Sequence, residues 1–470
     1  MKIWRISSVT LAIAAAFPLP AAAQSNAELL KELKALRDRV TQLENKLKAA
    51  EAPKPAPAAP VAVVPAAPAV VGMTPDQARE MGRIAVKVDA LEDERENSFL
   101  KGLEIHGSID PAFIYNRAQD TAGFQFLQKY AGDSCSDNPN NCYSYDNSFF
   151  GTATLDIVKQ LEGGSIFRLT LMPNRGVGSF INDGDIVHEA SASIPLTDEN
   201  TRLIAGQIPD WSGYELLPSA ENKLITHNLL FDFIAPLAYT GAGLELTRGD
   251  WVVKGVIGNM NATRQSTGDK SPVVAYRADY SISEYSGIGF SGVHGKAANY
   301  VQDTGNTGLN LFEVDGYFIR GDWTLQGQAS YGRQSKAAIA ISEDGDLQDA
   351  QWWGVSALAA YKFTPRLEGV VRADYIDNHR NGGGLLGFGQ DNVNGIGQDI
   401  DSTGNVADPF SNGANRYALS LGGNYRFNEY TLFKLEYRFD FANKNVFYYV
   451  DKDDYKKNNQ LFGASVVVSF

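Results

Sequence analysis

The 470-residue chain has two cysteines, five methionines and five histidines, and no basic surplus: 42 Lys and Arg stand against 55 Asp and Glu, a net charge of -13. Each shortage excludes something. Nucleic acid, whose phosphates are held through Lys and Arg, is not an expected partner. The histidines (His106, His188, His227, His294 and His379) show no metal-ligand spacing, and Cys135 has no nearby partner for nucleophilic attack. No metal site, no cofactor and no enzymatic activity is therefore expected. Long apolar runs are also missing. Beyond the first residues, the one apolar-looking stretch, Pro53 to Val71, carries Pro53, Pro55, Pro57, Pro60, Pro65 and Pro68, which cannot form a spanning helix.

Glycine (45), phenylalanine (24) and tyrosine (21) are abundant, a composition of β-structure with many turns. The chain opens with Lys2 and Arg5, an apolar stretch over 6–17, and Ala21 and Ala23 at small-residue cleavage positions, so residues 1–23 read as a signal peptide. In 24–51, Leu29, Leu33, Leu36, Val40, Leu43 and Leu47 recur at alternating steps of four and three, the seam of a coiled coil. A single amphipathic helix packed on its own protein fits the same pattern. Residues 52–72 form a Pro/Ala linker, a spacer of roughly 60 Å if extended as polyproline II. Thr74 and Pro75 then open a second helix over 73–99, with Met81, Ile84, Val88 and Leu91 on one stripe. Together these segments predict an α-helical, coiled-coil N-terminal stalk in the periplasm. About three heptads are marginal alone, so the stalk is expected to associate within a larger oligomer, a homotrimer, with peptidoglycan as a possible anchor.

From residue 100 the period changes to two. Phe433, Leu435, Tyr437, Phe439 and Phe441 alternate with Lys434, Glu436, Arg438 and Asp440, and similar alternation recurs in sixteen segments between 103 and 470. Their connections alternate between tight turns, such as Arg248-Gly249-Asp250-Trp251 and Arg320-Gly321-Asp322-Trp323, and long loops. That asymmetry predicts an all-β fold, a sixteen-stranded antiparallel transmembrane β-barrel over 100–470 with periplasmic turns and extracellular loops. Trp251, Trp323, Tyr361, Phe363, Tyr425, Phe427 and Tyr430 sit beside the short turns, as an aromatic girdle requires. The alternating last strand ends at Phe470, a terminus resembling the signal read by the outer-membrane barrel-assembly machinery.

Between Leu203 and Asn259, the words Ala205-Gly206-Gln207, Gly213-Tyr214-Glu215, Ile225-Thr226-His227-Asn228 and Thr240-Gly241-Ala242-Gly243 resemble, in order, those of OmpL-like and phosphate-selective-type Gram-negative porins. The wider chain, from Val88-Asp89-Ala90-Leu91-Glu92 through Asp110-Pro111 to Asn259-Met260-Asn261, is similar to a family of outer-membrane barrel proteins of unknown function. The resemblance implies a porin-like barrel of about sixteen strands, often trimeric, with no assigned substrate. The basic ladder of the phosphate-selective members is not evident.

The alternation places Arg168, Arg277, Arg372, Lys434 and Arg438 inward, with Asp156, Asp279, Asp374, Glu436 and Asp440. They are candidate pore-lining charges, or pairs that only neutralise the wall. The third long connection, 208–237, is the candidate constriction loop: Asp210, Tyr214, Glu215, Glu221, Lys223 and Asp232 mix there with Leu229, Leu230, Phe231, Phe233 and Ile234. An extracellular lid or subunit latch is the other reading of that loop. Cys135 and Cys142, in the first long loop, read as a disulfide in an oxidising compartment. Asp377, Asp391, Asp399, Asp401 and Asp408, with Glu343, Asp344, Asp346 and Asp349, make the outer mouth acidic. Such a mouth favours cations mildly, or bridges divalent ions to lipopolysaccharide. The function expected is an outer-membrane porin for passive diffusion of small hydrophilic solutes or ions, set among lipid and lipopolysaccharide. The alternative is a structural protein with a plugged barrel and a stalk that tethers the cell wall.

Overall fold

A strand that alternates large apolar with charged residues buries one face, and in this chain the buried face is the charged one. In the computed structural model, the residues described are 80, 81, 83–88, 101–127, 150–173, 186–261, 271–299, 305–380 and 396–470. The chain divides into two units, 1–91 and 92–470. In the first, residues 80, 81 and 83–88 are helical, and Met81, Ile84, Val86 and Val88 are exposed on that helix. The expected signal peptide, coiled coil and Pro/Ala linker lie outside the described residues, as do Cys135 and Cys142.

The second unit is a closed antiparallel barrel. Its first half comprises β1 (Leu103–Ile109), β2 (Ala112–Asn116), β3 (Thr121–Gln125), β4 (Ala153–Gln160), β5 (Ile166–Leu171), β6 (Val187–Asp198), β7 (Thr201–Pro209), β8 (Ala238–Arg248), β9 (Trp251–Asn261) and β10 (Val273–Ser283). The second half comprises β11 (Ser286–Ala298), β12 (Asn306–Arg320), β13 (Trp323–Gln334), β14 (Ala350–Lys362), β15 (Leu367–Arg380), β16 (Arg416–Arg426) and β17 (Thr431–Ala442), then the small hairpin β18 (Phe447–Tyr449) and β19 (Asp454–Lys456), then β20 (Asn458–Ser469). From β4 to β17 each strand pairs with the next in sequence, and β20 pairs with β17 on one side and with β1 and β2 on the other, which removes the sheet edge. The sheet counts eighteen strands because two staves are split, so the barrel has sixteen.

The splits have local causes. Pro111 has no N–H to give the ladder, so the first stave breaks into β1 and β2 at Asp110-Pro111. The Asp110 carboxylate fills the gap by accepting hydrogen bonds from the Thr152 amide, the Thr152 hydroxyl at 2.9 Å and the Ser219 hydroxyl. In the second stave β3 pairs with β2, and β4 with β1. The segment expected over 148–159 is therefore only the lower part of that stave, and β3 lies outside the expected strands. The turn between β2 and β3 is made by Asn116, whose side-chain oxygen accepts from the Ala118 amide at 3.1 Å, a local bond that period-two reading does not register.

The alternation is inverted relative to a soluble protein. On β17, Phe433, Leu435, Tyr437, Phe439 and Phe441 are 36–53% exposed, while Lys434, Glu436, Arg438 and Asp440 are at most 2% exposed. An apolar exterior over a polar interior is stable when lipid, not water, surrounds the barrel. Near the short turns the girdle forms as expected: Trp251 packs on Tyr280 and Trp323 on Tyr361 with tilted rings, each pair at 4.7 Å between centroids. The two Arg-Gly-Asp-Trp turns place Gly249 (φ 58°) and Gly321 (φ 61°) in left-handed backbone, which tight hairpins require.

The C-terminus completes the closure. Phe470 and Gly107 exchange backbone hydrogen bonds of 3.0 and 3.1 Å, and the Phe470 ring covers the Gly107 Cα, where a Cβ would collide with it. Gly107→Val should displace that ring and cost about 1–3 kcal/mol. Cold gel electrophoresis should then show the folded band lost at lower temperature than in the parent, and an unchanged melting point would contradict the role given to this contact.

Candidate functional site

The connection from Asp210 to Leu237 folds into the barrel, and its residues explain why. Leu229, Leu230, Phe231, Phe233 and Ile234 are buried in one apolar cluster with Met260, Val293, Leu309, Leu311 and Trp352 from the wall. They form a short helix, α1 (Leu229–Phe233), capped by Asn228, whose side chain accepts from the Phe231 amide at 2.8 Å. A loop buried this deeply must find partners for its backbone groups.

The wall supplies them. Lys434 donates to the carbonyls of Ser219 (2.7 Å) and Asn222 (2.6 Å), and Glu436 accepts from the amides of Ile225 (2.7 Å) and Thr226 (2.8 Å). Arg372 donates to Glu215 (2.7 Å), the Thr226 carbonyl (2.7 Å), the His227 carbonyl (2.8 Å) and Asp374 (3.1 Å). Arg438 reaches the His227 carbonyl at 2.9 Å and Asp440 at 3.1 Å, with Asp232 3.9 Å away. Glu215 in turn accepts from the Asn228 amide at 2.6 Å. Tyr214 hydrogen-bonds Ser356 on β14, and Lys223 pairs with Glu368 on β15 at 2.7 Å.

This corrects part of the expected channel lining. The inward register read for β15 and β17 holds, but Arg372, Asp374, Lys434, Glu436, Arg438 and Asp440 are sealed under the loop and anchor it. Glu215 and Asp232 are buried too, turned into the anchor and away from the lumen. Alternation shows which face a residue takes, and it is blind to what covers that face. Asp377 is also displaced from the expected mouth: it sits on β15, accepting from the Tyr375 hydroxyl at 2.9 Å. Asp391 is outside the described residues, whereas Glu343, Asp344, Asp346, Asp401 and Asp408 are exposed in loops.

The open part of the lumen lies on the other side of the loop, against β5 to β10. A cavity of about 590 Å³ is lined there by Arg168, Glu189, Glu221, Glu245, Lys254 and Arg277, among others. Arg168 is held by Asp156 at 2.9 Å and by Glu189 at 3.6 Å while its side chain stays 48% exposed. Arg277 is fixed between Asp279 (2.7 Å), Asp315 (2.7 Å) and the Trp211 carbonyl (2.6 Å). Asp210, at the loop's start, accepts from the Tyr239 hydroxyl at 2.7 Å. Lys254 stands over the Trp211 ring, 4.9 Å from its centroid.

Glu189, Glu245 and Lys254 were missed from the sequence. Period two would have found Lys254 in Val252-Val253-Lys254-Gly255 and Glu245 in Leu244-Glu245-Leu246. It would also have found Glu189, which alternates with Ala190 in step with Ser191 and Ser193; the β5–β6 register shift falls beyond it, at His188.

A closed barrel that is apolar outside, charged inside and narrowed by an infolded loop defines the class, a membrane-spanning β-barrel of porin type. The model of the family described as "Protein of unknown function (DUF3138)" matches residues 4–470, and the chain belongs to that family. No curated protein matches the sequence. Solved structures similar to it include the outer membrane channel DcaP of Acinetobacter baumannii, at 12% identity and a TM-score of 0.49, over 78% of this chain and 97% of that one. An anion-selective porin from Comamonas acidovorans is similar at 9% identity and a TM-score of 0.48, over 78% and 99%. The trimer form of OmpT, an outer membrane protein of Vibrio cholerae, is similar at 10% and 0.48, over 78% and 99%.

Two predictions follow from the anchor. Arg372→Met leaves Glu215 and Asp374 buried without their cation, a loss on the order of 3–5 kcal/mol in loop docking. Limited proteolysis of the folded protein should then cut within 210–237, where the parent is resistant. The second concerns His227, which is buried on the loop, donates to the Leu216 carbonyl at 2.8 Å and stacks on Phe231 at 4.2 Å. Burial, reinforced by the Arg372 and Arg438 guanidinium groups and partly offset by the hydrogen bond to Leu216, pushes its imidazole down to about 3. Above the ordinary value of 6.5 docked and undocked loop are both neutral at this site, and nothing is lost. Below it only the undocked loop takes the proton, so docking weakens by about 1.4 kcal/mol per pH unit until the docked value is reached. Protease sensitivity of the loop should rise between pH 7 and pH 5, and the His227→Gln variant should lack that component.

Proposed function

We propose that this protein is an outer-membrane porin that passes small hydrophilic solutes or ions by diffusion, with a mild preference for cations. The observation that carries the reading is the division of the lumen. The infolded loop occupies the β13–β17 side, while the β5–β10 side keeps a charged, solvent-reached cavity beside it. Sixteen strands enclose more space than wall side chains fill. The channel reading asks for a wet, charged passage and for no chemistry at a substrate bond, so no enzymatic role is assigned.

The preference for cations rests on Glu189, Glu221, Glu245 and Asp210 around the cavity, against Arg168, Lys254 and Arg277, and on the acidic mouth loops. A homotrimer is supported by the exterior. On β4 to β8 the only tyrosine or tryptophan is Tyr239, which is buried inward, so the aromatic girdles are interrupted there. Ile157, Phe167, Leu169, Ala190, Ala192 and Ala205, with Lys159, line a shallow groove on this face. The N-terminal stalk would extend into the periplasm, and its exposed Met81, Ile84 and Val88 would pair between protomers there. Kinship with the OmpL-like porins, engagement of the assembly machinery through Phe470 and attachment to peptidoglycan belong to the same proposal.

The test is conductance of the refolded protein in a planar bilayer under a salt gradient. Stable steps arriving in threes and a reversal potential favouring cations are expected. Glu221→Lys should move that potential toward anions by several millivolts or more, since it reverses one charge beside Arg168 in the narrow passage. Absence of conductance from a correctly folded barrel would overturn the porin reading, and an anion-favouring potential in the parent would overturn the stated preference.

A further inference from the structure

Away from the short-turn rim, where Lys159, Arg248 and Arg320 stand, outward charge among the described strands gathers at the long-loop ends of one sector. At the long-loop ends of β11 to β15, cross-strand pairing runs His294, Asn310, Arg333, Gln351 and Arg380 side by side on the outward face. Adjacent strands lie about 4.8 Å apart, so these five form one continuous polar band. Lys296 stands two residues beyond His294 on β11, and Lys336 follows the end of β13. Lys296, Arg333, Lys336 and Arg380 are all exposed. At the neighbouring long-loop ends of β16, β17 and β20, the outward row is Tyr417, Phe441 and Asn458, without a charge.

One outward position below the band the paired row runs Tyr276, Gly292, Phe312, Tyr331 and Trp353, aromatic on four of its five strands, and ends on β15 at Asp377. A band of cations directly above an aromatic row is the arrangement that meets phosphate above and acyl chain below. The band is also built. The Tyr276 hydroxyl lies 3.2 Å from His294 Nε2, and His294 Nδ1 lies 3.0 Å from Asn310 Oδ1. Arg333 is held by Asp349 at 2.6 Å through Nη2, and Asp349 also accepts from the Lys336 amide at 3.0 Å. That pairing orients the guanidinium and leaves its remaining N–H donors for a second anion. Asp377, the other carboxylate on this face, is occupied by the Tyr375 hydroxyl.

We propose that this face seats lipopolysaccharide. Phosphates of the headgroup are gripped by Lys296, Arg333 and Arg380, with sugar hydroxyls on Asn310 and Gln351, while acyl chains run over Phe312, Tyr331 and Trp353. The proposal rests on the outer-membrane reading, which turns the long-loop end toward the leaflet that holds this lipid, but not on conduction.

The test uses the full-length protein folded in detergent, incubated with lipopolysaccharide, with the same material enzymatically dephosphorylated, or with phosphatidylglycerol, and washed before bound lipid is counted by native mass spectrometry. The parent should retain lipopolysaccharide. The combined variant Lys296→Gln, Arg333→Gln and Arg380→Gln should lose tenfold or more of it, and dephosphorylation should cost the parent as much. Arg248→Gln with Arg320→Gln, which removes charge at the short-turn end, should retain it. Equal retention by the two variants, or retention indifferent to phosphate, overturns the site, and equal capture of phosphatidylglycerol overturns the choice of lipid. Bilayer conductance of the combined variant, whose changed residues lie outside the lumen, should match the parent. A failure of the porin reading would therefore show as silence in both proteins and leave the lipid result to stand or fall by itself.

Discussion

The constraint on which the rest of the structure depends is that a segment of almost thirty residues lies inside a barrel, where its amides and carbonyls have no free access to water. An unpaired buried backbone group costs a few kcal/mol, so the segment stays only if the wall answers each group. Lys434, Glu436, Arg372 and Arg438 do this from two strands, reaching the backbone of Ser219, Asn222, Ile225, Thr226 and His227. Their own charges are balanced by Glu215, Asp374 and Asp440 within the same layer. The charges that look like a selectivity filter in the sequence are therefore structural ligands of a peptide, and taking one away leaves its partner stranded.

That arrangement decides where water runs. The apolar side of the loop, from Leu229 to Ile234, docks on β14 and β15 and fills the lumen there. The space left over must lie against the opposite wall, whose charges are held in place by short ion pairs yet remain wet, Arg168 between Asp156 and Glu189 being the clearest case. The kink at Asp110-Pro111 belongs to the same economy of contacts: the carboxylate freed by the missing amide reaches both Thr152 on the next stave and Ser219 on the loop. Barrel closure and loop docking thus share a residue.

The fold was legible because period-two alternation and turn spacing are local signals. The segments read from them coincide with the staves to within a few residues, even in β16, β17 and β20, whose loops differ widely in length. What escaped were features made by single side chains acting across the chain. β3 is five residues long and has no alternation of its own to distinguish it, and β18 and β19 are shorter still. For the site, the loop was identifiable from its mixture of carboxylates and large apolar residues, and the inward set from alternation. Whether an inward charge meets water or peptide was not, because that depends on how the loop lies. Arg372 and Arg277 are indistinguishable as sequence, each an arginine two positions before an aspartate on an alternating strand, and one is sealed while the other borders the cavity.

The same distinction governs the outside. Exposed cations on a strand are usually a solvated face, and on a barrel surrounded by lipid that default fails, because the outward positions are solvated only at the two rims. An outward arginine is thus informative by its position along the stave. Arg248 and Arg320 stand at tight turns, where the rim itself accounts for them, and Arg320 packs over Tyr285 at 5.1 Å. Lys296, Arg333 and Arg380 come from three different strands and converge above an aromatic row on one sector of the wall. Turn chemistry does not require that convergence. The sector, β11 to β15, is also across the barrel from β4 to β8, where the girdles are interrupted and the outward residues are mainly Leu, Ile and Ala, with Phe167 and Lys159. Under the proposed trimer, a protomer that turns β4–β8 toward its copies turns β11–β15 toward lipid, so the two proposals ask for different sectors of the wall and do not compete for one.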